Sequence, residues 1–278
     1  MAKSKRDEAG ALKYFSEEKA KYTGLLKQAH LIGNAVGNRN TDPLRIISSW
    51  LYLRICVTGK TIAEILEPQE HDYGSSRYLD HASIAILCRG LIENVAVLLY
   101  VGDANISEDE WECRRSLIDL HDFTNRSAFL TKIKADTAPE SPEETLKLLR
   151  QRLEDNAFFQ TLSTKRRQKL LEGQEMFVDG RHAAMLALGW GDDLTRGLYK
   201  YLSNQAHTLA MSFHRTAENE LYKNDSAGSR VVAAFSLTFT RRALGAAALH
   251  IIELFPDIEL KFDQIVLSAL KSEYRRSD

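Results

Sequence analysis

Residues 80–102 read DHASIAILCRGLIENVAVLLYVG, and this stretch decides the fold. Asp80 can cap a helix, the residues that follow contain no proline, and Gly102 supplies a stop signal. Nearly every position between them is apolar, so the pattern predicts a helix buried on most of its circumference and central to the molecule. At about 100° per residue, Arg89, Glu93 and Tyr100 fall within about 40° of one another, so its charged side chains share one stripe. The apolar runs 82–101 and 231–255 are long enough for membrane spans, but the first carries Arg89 and Glu93 and the second Arg241 and Arg242. Each central arginine costs about 2.5–3.5 kcal/mol on insertion. Both runs therefore read as buried helices of a soluble protein, with no membrane partner.

The same punctuation extends outward. Thr41-Asp42-Pro43 is an N-cap followed by proline in the first turn, opening a helix that stops before Pro68. Residues 6–32 form an amphipathic segment ahead of it, and 69–76 read as a polar loop. Ser107-Glu108-Asp109-Glu110 is a capping-box pattern for a helix to about Lys132, and Ser141-Pro142-Glu143-Glu144 repeats it for a helix over about 142–161. Asp192 or Asp193 caps a helix expected to reach about Ala217, and two C-terminal helices meet near Pro256. Five prolines and fifteen glycines in 278 residues are too few for an all-β chain, which needs frequent turns. The fold class expected is all-α: one domain over 1–278, a bundle of eight to ten helices around 81–101, with 133–180 as a charged peripheral hairpin.

Function is less legible. Lys+Arg 37 against Asp+Glu 38 gives a net charge of −1, which excludes a global basic field for nucleic acid. Cys56, Cys88 and Cys113 are widely spaced and read as reduced core thiols of a cytoplasmic protein. The N-terminal MAKSKRDEAG has no signal-peptide core. Zinc-protease, P-loop, nucleophile-elbow and Rossmann motifs are absent, and no cofactor or metal is expected; His214 and Glu218 offer two ligands with no third.

What remains is polar residues where burial is expected. Arg89 and Glu93 can pair at i,i+4; taken as an internal staple, they predict a cost of about 3 kcal/mol or more for Glu93→Gln. On the next helix, Trp111, Leu117, Ile118 and Ala128 define an apolar face that includes Arg114, His121 and Asn125. After Asp193, the stripe Leu194, Leu198, Leu202, Ala206, Leu209 and Phe213 is bordered by Arg196, Tyr199, Ser203, His207 and His214. Converging stripes would form a polar cleft. Arg89, Arg114, Asn125, Tyr199 and Ser203 would then hold substrate, with His207, His121 and Glu93 as the candidate catalytic groups, since imidazole titrates near neutrality.

The pattern Arg89-x3-Glu93, Trp111 with Arg114, then Tyr199-x3-Ser203-x3-His207 resembles uncharacterised bacterial all-helical proteins, over roughly residues 80–215. Some of these resemble remote relatives of the HEPN helical superfamily. That resemblance implies phage defence or toxin activity and metal-independent RNA cleavage, with the 2′-hydroxyl as nucleophile. Its Arg-then-His signature falls on Arg114 or Arg115 with His121, and only Arg114 shares a helix face with His121. Two function classes follow: a binding or regulatory module with a polar cleft between helices, and a HEPN-like ribonuclease or nucleotide-acting enzyme. An unidentified protein, a small-molecule or nucleotide ligand, RNA and a second copy of the chain are the partners left open.

Overall fold

The computed structural model describes residues 2–67, 69–71, 74–139, 141–223 and 226–275. Among these the fold is helical, with α1 (Ala2–Val36), α2 (Pro43–Glu64), α3 (His81–Val101), α4 (Glu108–Lys132), α5 (Pro142–Glu154), α6 (Ala157–Thr161), α7 (Thr164–Leu171), α8 (Arg181–Leu186), α9 (Asp192–Ala206), α10 (Ala210–Phe213), α11 (Ala227–Leu254) and α12 (Gln264–Arg275). A 3₁₀ helix, Pro256–Lys261, joins the last two. The segment expected as a polar loop instead pairs with itself as a short antiparallel hairpin, β1 (Gln69–His71) and β2 (Gly74–Tyr78), in the register Gln69 to Tyr78 and Glu70 to Arg77.

The chain divides into two compact units, 1–102 with 185–278, and 103–184. Composition suggested one domain with a hairpin over 133–180; the second unit starts earlier, with the whole of α4 included. In the first unit, α3 packs against α2, α9 and α11, and α11 also packs against α1, α2 and α12. Ile84, Cys88, Leu91, Val95 and Leu98 of α3 are fully buried, as the apolar run predicts. By length and composition α3 also passes as a membrane-crossing helix. Gly245 lets α12 lie close on α11: a Cβ there would stand 3.2 Å from the Glu273 Cβ. The second unit has its own core of Cys113, Leu117 and Leu120 from α4 with Leu146, Leu153, Phe159, Leu170 and Val178.

Caps explain most boundaries. Asp42 accepts from the Arg45 N–H at 3.0 Å, Asp80 from Ser83 at 3.0 Å and Ser107 from Glu110 at 3.2 Å, each satisfying an orphan donor of the first turn. Three expectations fail. Ser141 makes no side-chain cap, and the helix from Pro142 stops at Glu154 because Asn156 caps the next one through the Phe159 N–H, at 2.8 Å. The N-cap of α9 is Gly191, with Asp192 and Asp193 inside the first turn. Finally, α9 ends at Ala206 and not near Ala217. Thr208 adopts a left-handed φ of 49°, and the Leu209 N–H reaches back to the Asn204 carbonyl at 3.0 Å, a Schellman closure. Leu209, Phe213 and His214 therefore do not continue the α9 stripe; all three are exposed.

Candidate functional site

Arg89 lies on the half-buried stripe of α3, with its side chain 13% exposed. Its guanidinium gathers groups from two helices. Nε donates to Glu93 Oε1 at 3.2 Å, one turn along α3. Nη2 donates to the Tyr199 hydroxyl at 3.2 Å and Nη1 to His207 Nε2 at 3.2 Å, both reached from α9 and its C-terminal cap. The guanidinium carbon also stands 5.1 Å from the centre of the Tyr199 ring, a cation–π contact added to the hydrogen bond. Tyr199, Ser203 and His207 recur at i,i+4 along α9, so one row of that helix faces one arginine. Ser203 Oγ, between the other two, is buried without a hydrogen-bond partner among the described residues.

This geometry fixes the chemistry of the histidine. Arginine has only donors, so His207 Nε2 must present its lone pair, and the proton of the neutral ring then sits on Nδ1. A guanidinium carries five N–H groups, and the three bonds to Glu93, Tyr199 and His207 leave two without a partner among the described residues. Glu93 and His207 sit at the exposed edge, so those N–H groups belong to a preorganised, partly wet cation.

The other candidates belong to the second unit and have local partners there. Arg114 pairs with Glu110 at 2.5 Å, one turn away on α4, and lies 4.0 Å from Asp103. The Asn125 amide donates to the His121 carbonyl at 2.8 Å and to the Gly173 carbonyl at 3.5 Å, tying α4 to the turn after α7. The α4 face is also rotated from the one expected. Cys113, Ser116, Leu117, Leu120 and Ser127 are buried, whereas Trp111 and Ile118 are half-buried and Ala128 and Asn125 are exposed. The reason is that α5, α6 and α7 supply a core against Cys113, Leu117 and Leu120, so Arg114 and His121 border that face. Arg89, Glu93, Tyr199 and His207 are thus brought together, with Ser203 in the same row; Arg114, His121 and Asn125 are placed in the other unit.

Among the described residues no three His, Cys, Asp or Glu side chains cluster as a metal site would require. Burial pushes the thiols of Cys56, Cys88 and Cys113 up to about 12, so none is a nucleophile at neutral pH. Sequence reasoning missed a second charged constellation. Arg241, 3% exposed, bonds through Nε to Glu18 at 3.2 Å and pairs with Glu273 on α12. Its signal was present: Glu18 falls within the stripe Phe15, Tyr22, Leu25, Ala29 and Ile32, all buried. No protein-family model, curated protein or solved structure matches the chain.

Proposed function

We propose that the protein is a non-catalytic binding module with a regulatory role, receiving the phosphate of a nucleotide or phosphorylated small molecule at Arg89, between α3 and α9. The observation that carries this is the convergence of Glu93, Tyr199 and His207 on one guanidinium that keeps two free N–H groups. Glu93 fixes the plane of the guanidinium, Tyr199 and His207 fix its reach, and a phosphate meets the remaining N–H groups of Nη1 and Nη2. A cytoplasmic setting belongs to this reading and is supported by three buried cysteines, none in a disulfide.

The HEPN-like ribonuclease is the competing reading, and the geometry favours it less. A general base needs a free lone pair, and the His207 Nε2 lone pair is engaged by Arg89. Of the two arginines that reading gives to phosphate, Arg89 and Arg114, the second is paired with Glu110 and belongs to the second unit, as does His121, its alternative acid or base. Titration calorimetry with pyrophosphate, which carries charge without a base, separates the two. Arg89→Met is expected to weaken binding about 10- to 100-fold, the worth of a charge-assisted hydrogen bond. Unchanged binding by that variant refutes the reading. Cleavage of single-stranded RNA by the wild type, lost in His207→Ala or His121→Ala, establishes the ribonuclease instead.

A further inference from the structure

The groove between the C-terminal half of α1 and the start of α2 holds a cavity of about 540 Å³, inside the first unit and separate from Arg89. Its volume lies in the range of small-ligand sites, about 300–1,000 Å³. Space exists there because α1 contributes Gly33 where other residues would fill the groove. A Cβ at Gly33 would stand 3.6 Å from the Tyr52 ring, an ordinary contact, so the void reflects a missing side chain and not a crowded backbone.

The wall has a definite chemistry. Trp50 and Leu53 border the groove and are 67% and 62% exposed, an uncompensated apolar surface beside a cavity. Tyr52 forms part of the floor, its hydroxyl already donated to the Ala29 carbonyl at 2.9 Å. His30 and Arg39 also line the wall, and Arg39 is largely engaged. Arg39 bonds both Asp257 oxygens at 3.0 and 2.9 Å, donates to the Val36 and Ala35 carbonyls, and stacks on Phe255 at 5.3 Å. The Asp257 carboxyl is held below the usual carboxylate range by that hydrogen bond from Arg39. Asn34 and Asn38, both exposed, also line the cavity. Each amide offers both a donor and an acceptor.

We infer that this groove binds an uncharged, planar heteroaromatic molecule. Its ring lies against Trp50 and its donor–acceptor edge meets the Asn34 and Asn38 amides. An anion finds at most one unengaged N–H on Arg39, against two on Arg89, and a purely apolar ligand leaves the two amides unused. This inference does not depend on the Arg89 site. The probes are adenine, with a ring and a polar edge, indole, with a ring and one donor, and pyrophosphate, with charge alone. The readout is the Trp50 indole N–H resonance, assigned by its loss in Trp50→Phe. Adenine is expected to shift that resonance saturably, with indole weaker and pyrophosphate without effect. Asn34→Ala is expected to weaken adenine about tenfold, the worth of one neutral hydrogen bond. Gly33→Leu, which fills the cavity from a helical position, is expected to abolish the shift while leaving Tm unchanged or higher. An unmoved Trp50 resonance with adenine at millimolar concentration overturns the inference. So does adenine binding that survives Gly33→Leu, or indole binding as well as adenine.

Discussion

Replacing Arg241 with methionine removes the centre of a charge network that joins three helices. In the native chain Arg241 is 3% exposed and Glu18 4%, so both ions have given up most of their hydration. Arg241 compensates with bonds from Nε and Nη2 to Glu18 at 3.2 Å each and with its pairing to Glu273. Glu18 also accepts from Lys21 at 2.9 Å and from the Thr238 hydroxyl at 3.2 Å, so the variant leaves that carboxylate partly satisfied. Glu273 loses its arginine partner. A broken buried pair costs about 3–5 kcal/mol. At about 2–4 °C per kcal/mol for a unit of this size, Tm falls by about 6–20 °C. Trp190, 3% exposed and in the same unit, reports that unfolding by fluorescence in a Trp111→Phe background, which removes the tryptophan of the second unit. The cost also depends on pH. Burial alone would raise the Glu18 carboxyl, but the Lys21 hydrogen bond and the Arg241 charge outweigh it and hold the group below its ordinary value of 4.5. A depressed carboxylate contributes stability above the unfolded value, and this is lost as pH falls through the folded one. The gap between wild type and Arg241→Met therefore narrows below pH 4.5. A Tm change under about 3 °C at pH 7, or a gap that widens on acidification, refutes the reasoning.

Glu93→Gln is expected to cost about 1 kcal/mol or less, a Tm change of at most a few degrees, because Glu93 is 33% exposed and the pair is partly screened. This replaces the 3 kcal/mol or more predicted for a buried staple. Gly173→Ala places a Cβ against the Thr124 hydroxyl at a backbone φ of 72°, so the second unit loses about 2–4 kcal/mol in urea unfolding followed by circular dichroism. A variant as stable as wild type would show that the turn after α7 has room. The three cysteines, with thiols pushed up to about 12, should resist a disulfide reagent in native buffer and all titrate once urea unfolds the chain. Rapid labelling of any one of them in the native state contradicts the burial described.

The elements that sequence specifies locally were the legible ones. Asp42-Pro43, Asp80 and Ser107 open helices where their side chains predict, since a cap is a contact between residues three apart. The end of α9 was hidden because Leu209 and Phe213 keep the apolar period, and a threonine instead of a glycine adopts the left-handed turn. The division into two units was hidden too, since its boundary at Gly102–Asp103 carries no linker composition. Within the site, Arg89, Glu93, Tyr199 and His207 were readable as stripes because helical phase alone defines a face. That the α9 row meets Arg89 depends on how the two helices pack, which phase does not specify. For Arg114, His121 and Asn125, the apolar face was read from Trp111, Leu117, Ile118 and Ala128, of which Leu117 joins the core with Cys113 and Leu120 while the other three lie outside it.

The central claim is that Arg89 is a preorganised anion receiver whose partner His207 accepts through Nε2. Nitrogen NMR of wild-type protein during a pyrophosphate titration tests both halves together. The expected spectrum shows His207 Nε2 unprotonated and Nδ1 protonated before addition, with the Arg89 guanidinium resonances then shifting saturably. A His207 ring protonated at Nε2 at the start, or guanidinium resonances that stay fixed as pyrophosphate is added, contradicts it.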